Sequence, residues 1–595
     1  MQQLTATLKK NKLLVIFVLS GLLLCLRGCF GFSFNDEPFI VSLAHRLHYG
    51  STLIVDEWNT AQNFGVLILP LYKLYLSIFH STEGILLAFR MVYCILWFLT
   101  CLAVYATLRK KHPMVLICFF YLLLFSPLDQ MTLSYTSVSL MCCLLLACLF
   151  YYHLEIKPIK FVPFTVAYTF LSVVAVLSVP YLVAVYLCAT AVFTIMHLIK
   201  RQDSTRFYFR AALASCVLAG ISAVVYVYLF ILKNHSLEEV FRSFESMFLD
   251  SEYSNRSYLD LLLSYAEELK NAYWLSGIIL AGTLCLTMIP AIGRHPERKL
   301  VLFLINVAVF FREILNLFLQ HKASQFNYQM APIVLLGLAA YLLLDEKKKY
   351  ANLLKTFLLL GLSYSLCFYV ASDTALHAIT MGLSICGVAS IVFIAELCLQ
   401  YSAYFSHKVH TSTGSNRKTR YARRASQLIP ILFAFVLVSQ LTLQGFLKIA
   451  RHYWDVPVIY MSATVPSGAA KGIRTSEWNS HLYENEAAHL SALLSNVDYS
   501  QRDRLRFVSL IANPVLYLNS EMPVGCFSTW TFLNDDDMLV SRMNRYYTIN
   551  PNNIPNVIFF KEGDVILDKL TIDISRYQLF SEDEYCLLVA PEYCK

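Results

Sequence analysis

Charge is what this chain is short of. Only 15% of its 595 residues are Asp, Glu, Lys or Arg, against about a quarter in an average soluble domain. Hydrophobic residues make up 57%, and that balance excludes a soluble globular protein. Several chemical signatures are missing too. There is no C-x-x-C pair, no H-E-x-x-H and no zinc-type spacing, nor a nucleophile elbow, a P-loop or an internal repeat. Metal hydrolysis, nucleotide-phosphate binding in a glycine loop and a solenoid fold therefore find no support in the sequence. The net charge of +8 would suit nucleic acid or anionic lipid, but its distribution points to membrane topology instead.

The apolar residues fall into runs of about 18–22, the length that crosses hydrocarbon as helix. The expected spans are 12–32, 88–108, 113–128, 133–153, 161–178, 181–199, 210–232, 272–292, 299–319, 326–344, 351–371, 375–400 and 428–448. Alternating sides, Lys and Arg collect in one set of loops: Arg109-Lys110-Lys111, Lys157, Lys160, Lys200, Arg201, Arg294, Arg298 and Lys347-Lys348-Lys349. The opposite turns near 129, 179 and 373 hold none, and loop 233–271 is acid-rich. This is the positive-inside pattern. It predicts a multi-pass protein of about thirteen helices in the plasma (inner) membrane, with a cytoplasmic N-terminus and an extracytoplasmic tail. The basic start and apolar run resemble a signal peptide, but no small-residue cleavage site follows, so the first helix is expected to remain. Most of the 17 cysteines lie within spans. The spacing of Cys586 and Cys594 leaves open whether they bridge.

Three stretches are not simple spans. In 35–87, Glu37–Tyr49 carries apolar side chains at helical spacing and is expected to lie along the membrane surface, with 64–79 as a second surface-lying or re-entrant helix. Loop 401–427 is basic and rich in Ser and Thr, and reads as a solvated cytoplasmic linker held against anionic lipid. It has no aromatic platform, so nucleic acid is not an expected partner. The tail 449–595 turns soluble in composition. A helix is expected at 483–495, strands at Leu505–Ile511, Val515–Leu518, Val557–Phe560 and Tyr585–Ala590, and helix near 536–547, which together make a small α/β domain.

The acidic pair Asp36-Glu37 stands out, because it leaves the first span at the mouth of whatever the later helices enclose. Carboxylates anchor poorly in a membrane, so the pair suggests a base or a substrate-orienting charge. The order Asp36-Glu37-Pro38 through Tyr49-Gly50, then Pro70-Leu71-Tyr72, Leu87-Ala88-Phe89-Arg90 and Gln325-Phe326-Asn327-Tyr328-Gln329-Met330-Ala331-Pro332 resembles the GT-C integral-membrane glycosyltransferases, especially their protein O-mannosyltransferase and aminoarabinose-transferase branch. The likeness spans the whole architecture through short, degenerate motifs. Two departures are that Leu69-Pro70-Leu71 replaces the family's double proline and that the later outer acid has only Asp129 as candidate.

That resemblance implies transfer of a sugar from a polyprenyl-phosphate donor to a lipid, cell-envelope glycan or protein at the outer face. Asp36 would be the base and Glu37 its assistant, and their alternative use is at the start of a helix, as an N-cap and a first-turn anion. Asp56, Glu57 and Asp129 would orient the acceptor, or else be ordinary loop acids. Arg90, Arg312, His321, Lys322 and Tyr328 would hold the donor phosphate, or else anchor and pack helices. Arg312 and Glu313 point about 100° apart and need not pair. No metal and no cofactor is expected. Two other classes stay open: a transporter or flippase for a lipid-linked glycan, against which stands the absence of internal repeats, and a non-catalytic membrane assembly subunit.

Overall fold

A computed structural model describes residues 12–595 apart from 234, 250–256, 321–327, 372–375, 412–416, 453–454 and 532–535. It is a polytopic α-helical membrane protein carrying an α/β domain at its C-terminal end. Every run expected to span coincides with a helix, but they differ in reach. Among the described residues ten helices, from Ile85–Leu108 to Arg423–Ala450, are long and apolar enough to cross. Three fall short: Lys12–Gly28 with 17 described residues, Leu116–Leu124 with 9 and Met330–Leu343 with 14. At 1.5 Å per residue the shortest covers only about 13 Å of a hydrocarbon core of about 30 Å. After it the chain continues through Pro127–Asp129 and extended backbone to Ser134, largely buried. Non-helical backbone at that position is tolerated because protein covers it.

Four segments depart from the expected elements. The first outer helix, Asp36–His48, is sheathed in protein and not open to lipid, because Glu37 through Arg46 are all buried. One of its sides packs on the Asn63–Phe79 helix, where Gly65 lets Leu43 approach. The other meets the C-terminal domain. Loop 401–427 is no linker: the Leu376–Thr411 and Arg417–Ala450 helices run through it on both sides of 412–416. Residues Val515–Ser520 form a helix and not a strand, because Pro514 opens a turn and the segment closes at Glu521 in the left-handed region. The strand Gln578–Glu582 was not foreseen. Its burial is low, so it lacks the apolar run that marked its partner.

The domain's sheet has Phe507–Ser509 parallel to Val557–Lys561, followed by antiparallel Tyr585–Val589 and edge strand Gln578–Glu582. The Glu477–Leu494 and Asp536–Ile549 helices pack with it. Val557 through Phe560 and Tyr585 through Val589 are buried at every position, as central strands require. Cys586 and Cys594 are both free thiols.

Candidate functional site

The site is built where several helices end beside the C-terminal domain. Asn35, not Asp36, occupies the N-cap of the Asp36–His48 helix. Asp36 is thus the first helical residue, where the helix dipole favours an anion. It is half-buried, and its Oδ2 accepts from Gln130 Nε2 at 2.6 Å. Gln130 is on the extended stretch that follows the nine-residue helix.

Glu37 faces inward and meets Arg90 in a two-pronged pair. Arg90 Nε donates to Oε1 at 2.6 Å and Nη2 to Oε2 at 2.5 Å, with the two side chains 1% and 3% exposed. Both carboxylate oxygens are therefore engaged, and Glu37 is held as a structural counter-ion of Arg90. Arg90 Nη1 also donates to the carbonyls of Gly28 and Phe30, where the Lys12–Gly28 helix ends.

Two further helix ends converge here, each met by a cation. Lys448 Nζ donates to Leu123 O, Phe125 O and Ser126 Oγ at 3.0, 3.4 and 3.0 Å, closing the end of Leu116–Leu124. Arg27 donates to Lys448 O at 2.7 Å and Arg451 O at 2.6 Å, closing the end of Arg417–Ala450. Its Nη1 reaches Phe30 O. A helix C-terminus carries about half a negative charge, so these caps leave part of each cation's charge uncancelled. Arg451 pairs with Asp129 at 3.0 Å. Asp129 sits at φ +56°, next to Leu128 at +50°, a strained pair that aims its carboxylate at Arg451. Burial pushes the Asp129 carboxyl up, and Arg451, Arg27 and Lys448 offset only part of the rise.

Four expected residues, Asp36, Glu37, Arg90 and Asp129, thus come together. Four more complete the group: Arg27, Gln130, Lys448 and Arg451. A signal for three of them was present in the sequence. Arg27, Lys448 and Arg451 stand at span ends assigned to the side where the charge rule disfavours cations.

Asp56 and Glu57 go elsewhere. Arg46, 1% exposed, pairs with Glu57 at 3.1 Å and donates to the carbonyls of Asp56 and Cys526. Asp56 Oδ2 accepts from Thr52 N and Oγ1, and its Oδ1 accepts from Asn553 Nδ2 at 2.6 Å. Burial pushes the Glu57 carboxyl up, and Arg46 opposes it. With Asn550 on Val55 O and Trp58 N on Phe527 O, this is the joint that fixes the domain to the first loop. Nearby His45 holds Tyr72 OH at Nδ1 and Met522 O at Nε2, each at 2.8 Å. A carbonyl only accepts, so Nε2 carries the proton and Nδ1 accepts from the phenol. Burial drives the imidazole down to about 3, and it stays neutral.

Arg312 and Glu313 do pair, at 3.0 Å, with Ser276 also donating to Glu313. Their Cβ vectors diverge, but the long Arg312 side chain reaches its neighbour, leaving Arg312 44% exposed and Glu313 1%. Tyr328 is buried, its OH donating to Glu268 and its carbonyl accepting from Tyr273. His321 and Lys322 lie outside the described residues. Among the described residues no three His, Cys, Asp or Glu side chains converge as metal ligands.

No protein-family model and no curated protein matches this chain. Among solved structures it is similar to the crystal structure of ArnT from Cupriavidus metallidurans bound to undecaprenyl phosphate, at 10% identity, over 97% of this chain and 98% of that one, with a TM-score of 0.44.

Proposed function

We propose that this protein is a glycosyltransferase that moves a sugar from a polyprenyl-phosphate donor to a lipid, envelope glycan or protein acceptor on the outer face of the membrane. The observation that carries the reading is Asp36. It is a half-buried carboxylate oriented by a neutral amide, beside a cluster in which Arg27 and Lys448 are met by carbonyls and a hydroxyl rather than by carboxylates.

In this reading the acceptor's hydroxyl or amine attacks the anomeric carbon and gives its proton to Asp36. The bond from that carbon to the phosphate oxygen breaks, and the polyprenyl phosphate leaves with the electron pair. Its growing charge is stabilised by the field of Arg27 and Lys448, which is fixed in advance by the helix ends they cap, with Arg451 held beside them by Asp129. Gln130 keeps the carboxylate turned to the acceptor. Glu37 and Arg90 hold the helix start in place, and the joint through Arg46, Asp56 and Glu57 sets the domain over the site. The tail is extracytoplasmic and the N-terminus cytoplasmic, in keeping with the loop charges.

The test is the surface glycan profile of cells carrying Asp36→Asn, with membrane levels of the protein matched to wild type. The reading expects one decoration to be lost in the variant and in a deletion alike. A profile altered by deletion but untouched by Asp36→Asn refutes it.

A further inference from the structure

Three large side chains stand in the open where the C-terminal domain begins. Ile459, Tyr460 and Trp478 are 75%, 65% and 71% exposed. Exposed apolar residues scattered singly need no explanation, but three gathered at one place do. Arg474 gathers them. Its Nε donates to Met461 O at 2.8 Å, directly after Tyr460, and Trp478 follows Arg474 a few residues on. Ser462 Oγ donates to Glu477 at 3.0 Å and joins the same two segments again.

The level of this surface is set by the spans. Arg474 N donates to Cys29 O at 2.8 Å, its carbonyl accepts from Gly31 N at 2.7 Å, and its guanidinium lies over the Phe30 ring. Those residues follow directly on the last turn of Lys12–Gly28. Gly84 N and Leu86 N donate to Gly468 O and Ala469 O, where the Ile85–Leu108 span starts. Asp455, shortly after the last span, accepts from Phe32 N and from Thr475 Oγ1. The segment from 455 to 478 is thus stitched to the ends of three spans, at the depth where hydrocarbon gives way to headgroups. Trp478 is in the first turn of Glu477–Leu494, whose later residues Asn485 and His489 meet Tyr585 of the sheet. Helical side chains lean toward their own N-terminus, so Trp478 leans toward the membrane and away from the sheet. Trp and Tyr, each an apolar body with a polar edge, are the residues that suit this border.

We propose that Ile459, Tyr460 and Trp478 form a foot that enters the headgroup and upper acyl region of the leaflet on the domain's side, and so holds the C-terminal domain against the membrane. The occupant of the surface is lipid. The foot shares no residue with the Asp36 cluster, and its test does not depend on the reaction proposed there.

The experiment is tryptophan fluorescence of the full chain in phosphatidylcholine nanodiscs, recorded for wild type and for Trp478→Phe. The difference between the two isolates Trp478 from the other tryptophans. Phosphatidylcholine brominated near the top of the acyl chain should remove most of the difference emission, and acrylamide in the water little of it. In a background of Ile459→Ser/Tyr460→Ser, quenching of Trp478 by the brominated lipid should fall about twofold, because less apolar area enters the leaflet. All three positions are exposed, so these variants should keep the fold. Loss to acrylamide with none to brominated lipid overturns the proposal, because the surface would then face water as a platform for a soluble ligand such as a glycan. Resistance to both quenchers overturns it too, because protein would then cover the surface. Brominated-lipid quenching unchanged by the double Ser variant overturns the claim that the three residues act as one foot.

Discussion

Truncating Glu37 separates a structural counter-ion from a chemical group. The carboxylate and Arg90 are almost wholly buried and joined by two bonds of 2.6 and 2.5 Å. Glu37→Ala strands the guanidinium with only the Gly28 and Phe30 carbonyls, at 3.2 and 3.4 Å. Breaking a buried pair from one side costs about 3–5 kcal/mol, whereas replacing both partners with apolar groups of similar size is often neutral. Glu37→Leu with Arg90→Met should therefore recover much of the loss seen in Glu37→Ala. The assay is unfolding by SDS in mixed micelles for wild type, both single variants and the pair, read as a double-mutant cycle. A coupling of several kcal/mol is expected. A Glu37→Ala protein as stable as wild type, with activity gone, would refute the structural assignment and return Glu37 to the chemistry.

His45 supplies a pH dependence whose sign is fixed by its burial. Its folded-state value of about 3 lies below the usual 6.5, so its contribution is present above pH 6.5 and is lost as pH falls towards 3. From pH 6.5 to 5 the stability advantage of wild type over His45→Gln should shrink by about 2 kcal/mol, and a constant or growing advantage would contradict the buried, neutral imidazole. Gly31 is at φ +86°, and a Cβ there would overlap the His452 ring, whereas Gly50 at φ +90° faces open space. Gly31→Ala should cost about 2–4 kcal/mol from strain and overlap together, and Gly50→Ala only about 1–2. Equal losses in the two variants, measured by the same unfolding assay, would remove the contact with His452.

Sequence legibility followed the physics of each element. Spans were readable because hydrocarbon demands long apolar runs, and the order of helices came with them. Leu116–Leu124 was over-read because Phe125 and Leu128 extend its apolar run to residue 128, while Lys448 and the surrounding protein meet the carbonyls at Leu123 and Phe125 and let the chain leave the helix earlier. The basic residues of 401–427 look like a solvated loop, but Arg and Lys are good helix formers, and the two flanking helices run on through them. At the site, Asp36 and Arg90 were visible as charges at span ends. That Glu37 belongs to Arg90, and Glu57 to Arg46, was not visible, because pairings 53 and 11 positions apart are made by packing and not by local pattern. Arg27, Lys448 and Arg451 were readable as exceptions to the charge rule, but their common destination was not, since it depends on helix ends meeting in space.

Transfer itself gives the most direct test. Purified wild-type protein and Asp36→Asn would be placed in liposomes with an extracted pool of polyprenyl-phosphate sugars and envelope acceptors, and released polyprenyl phosphate would be measured over time. The account predicts release by wild type and a rate lower by roughly 10²–10⁴ in the variant, the range a general base contributes. Equal release by the two proteins would contradict the role given to Asp36.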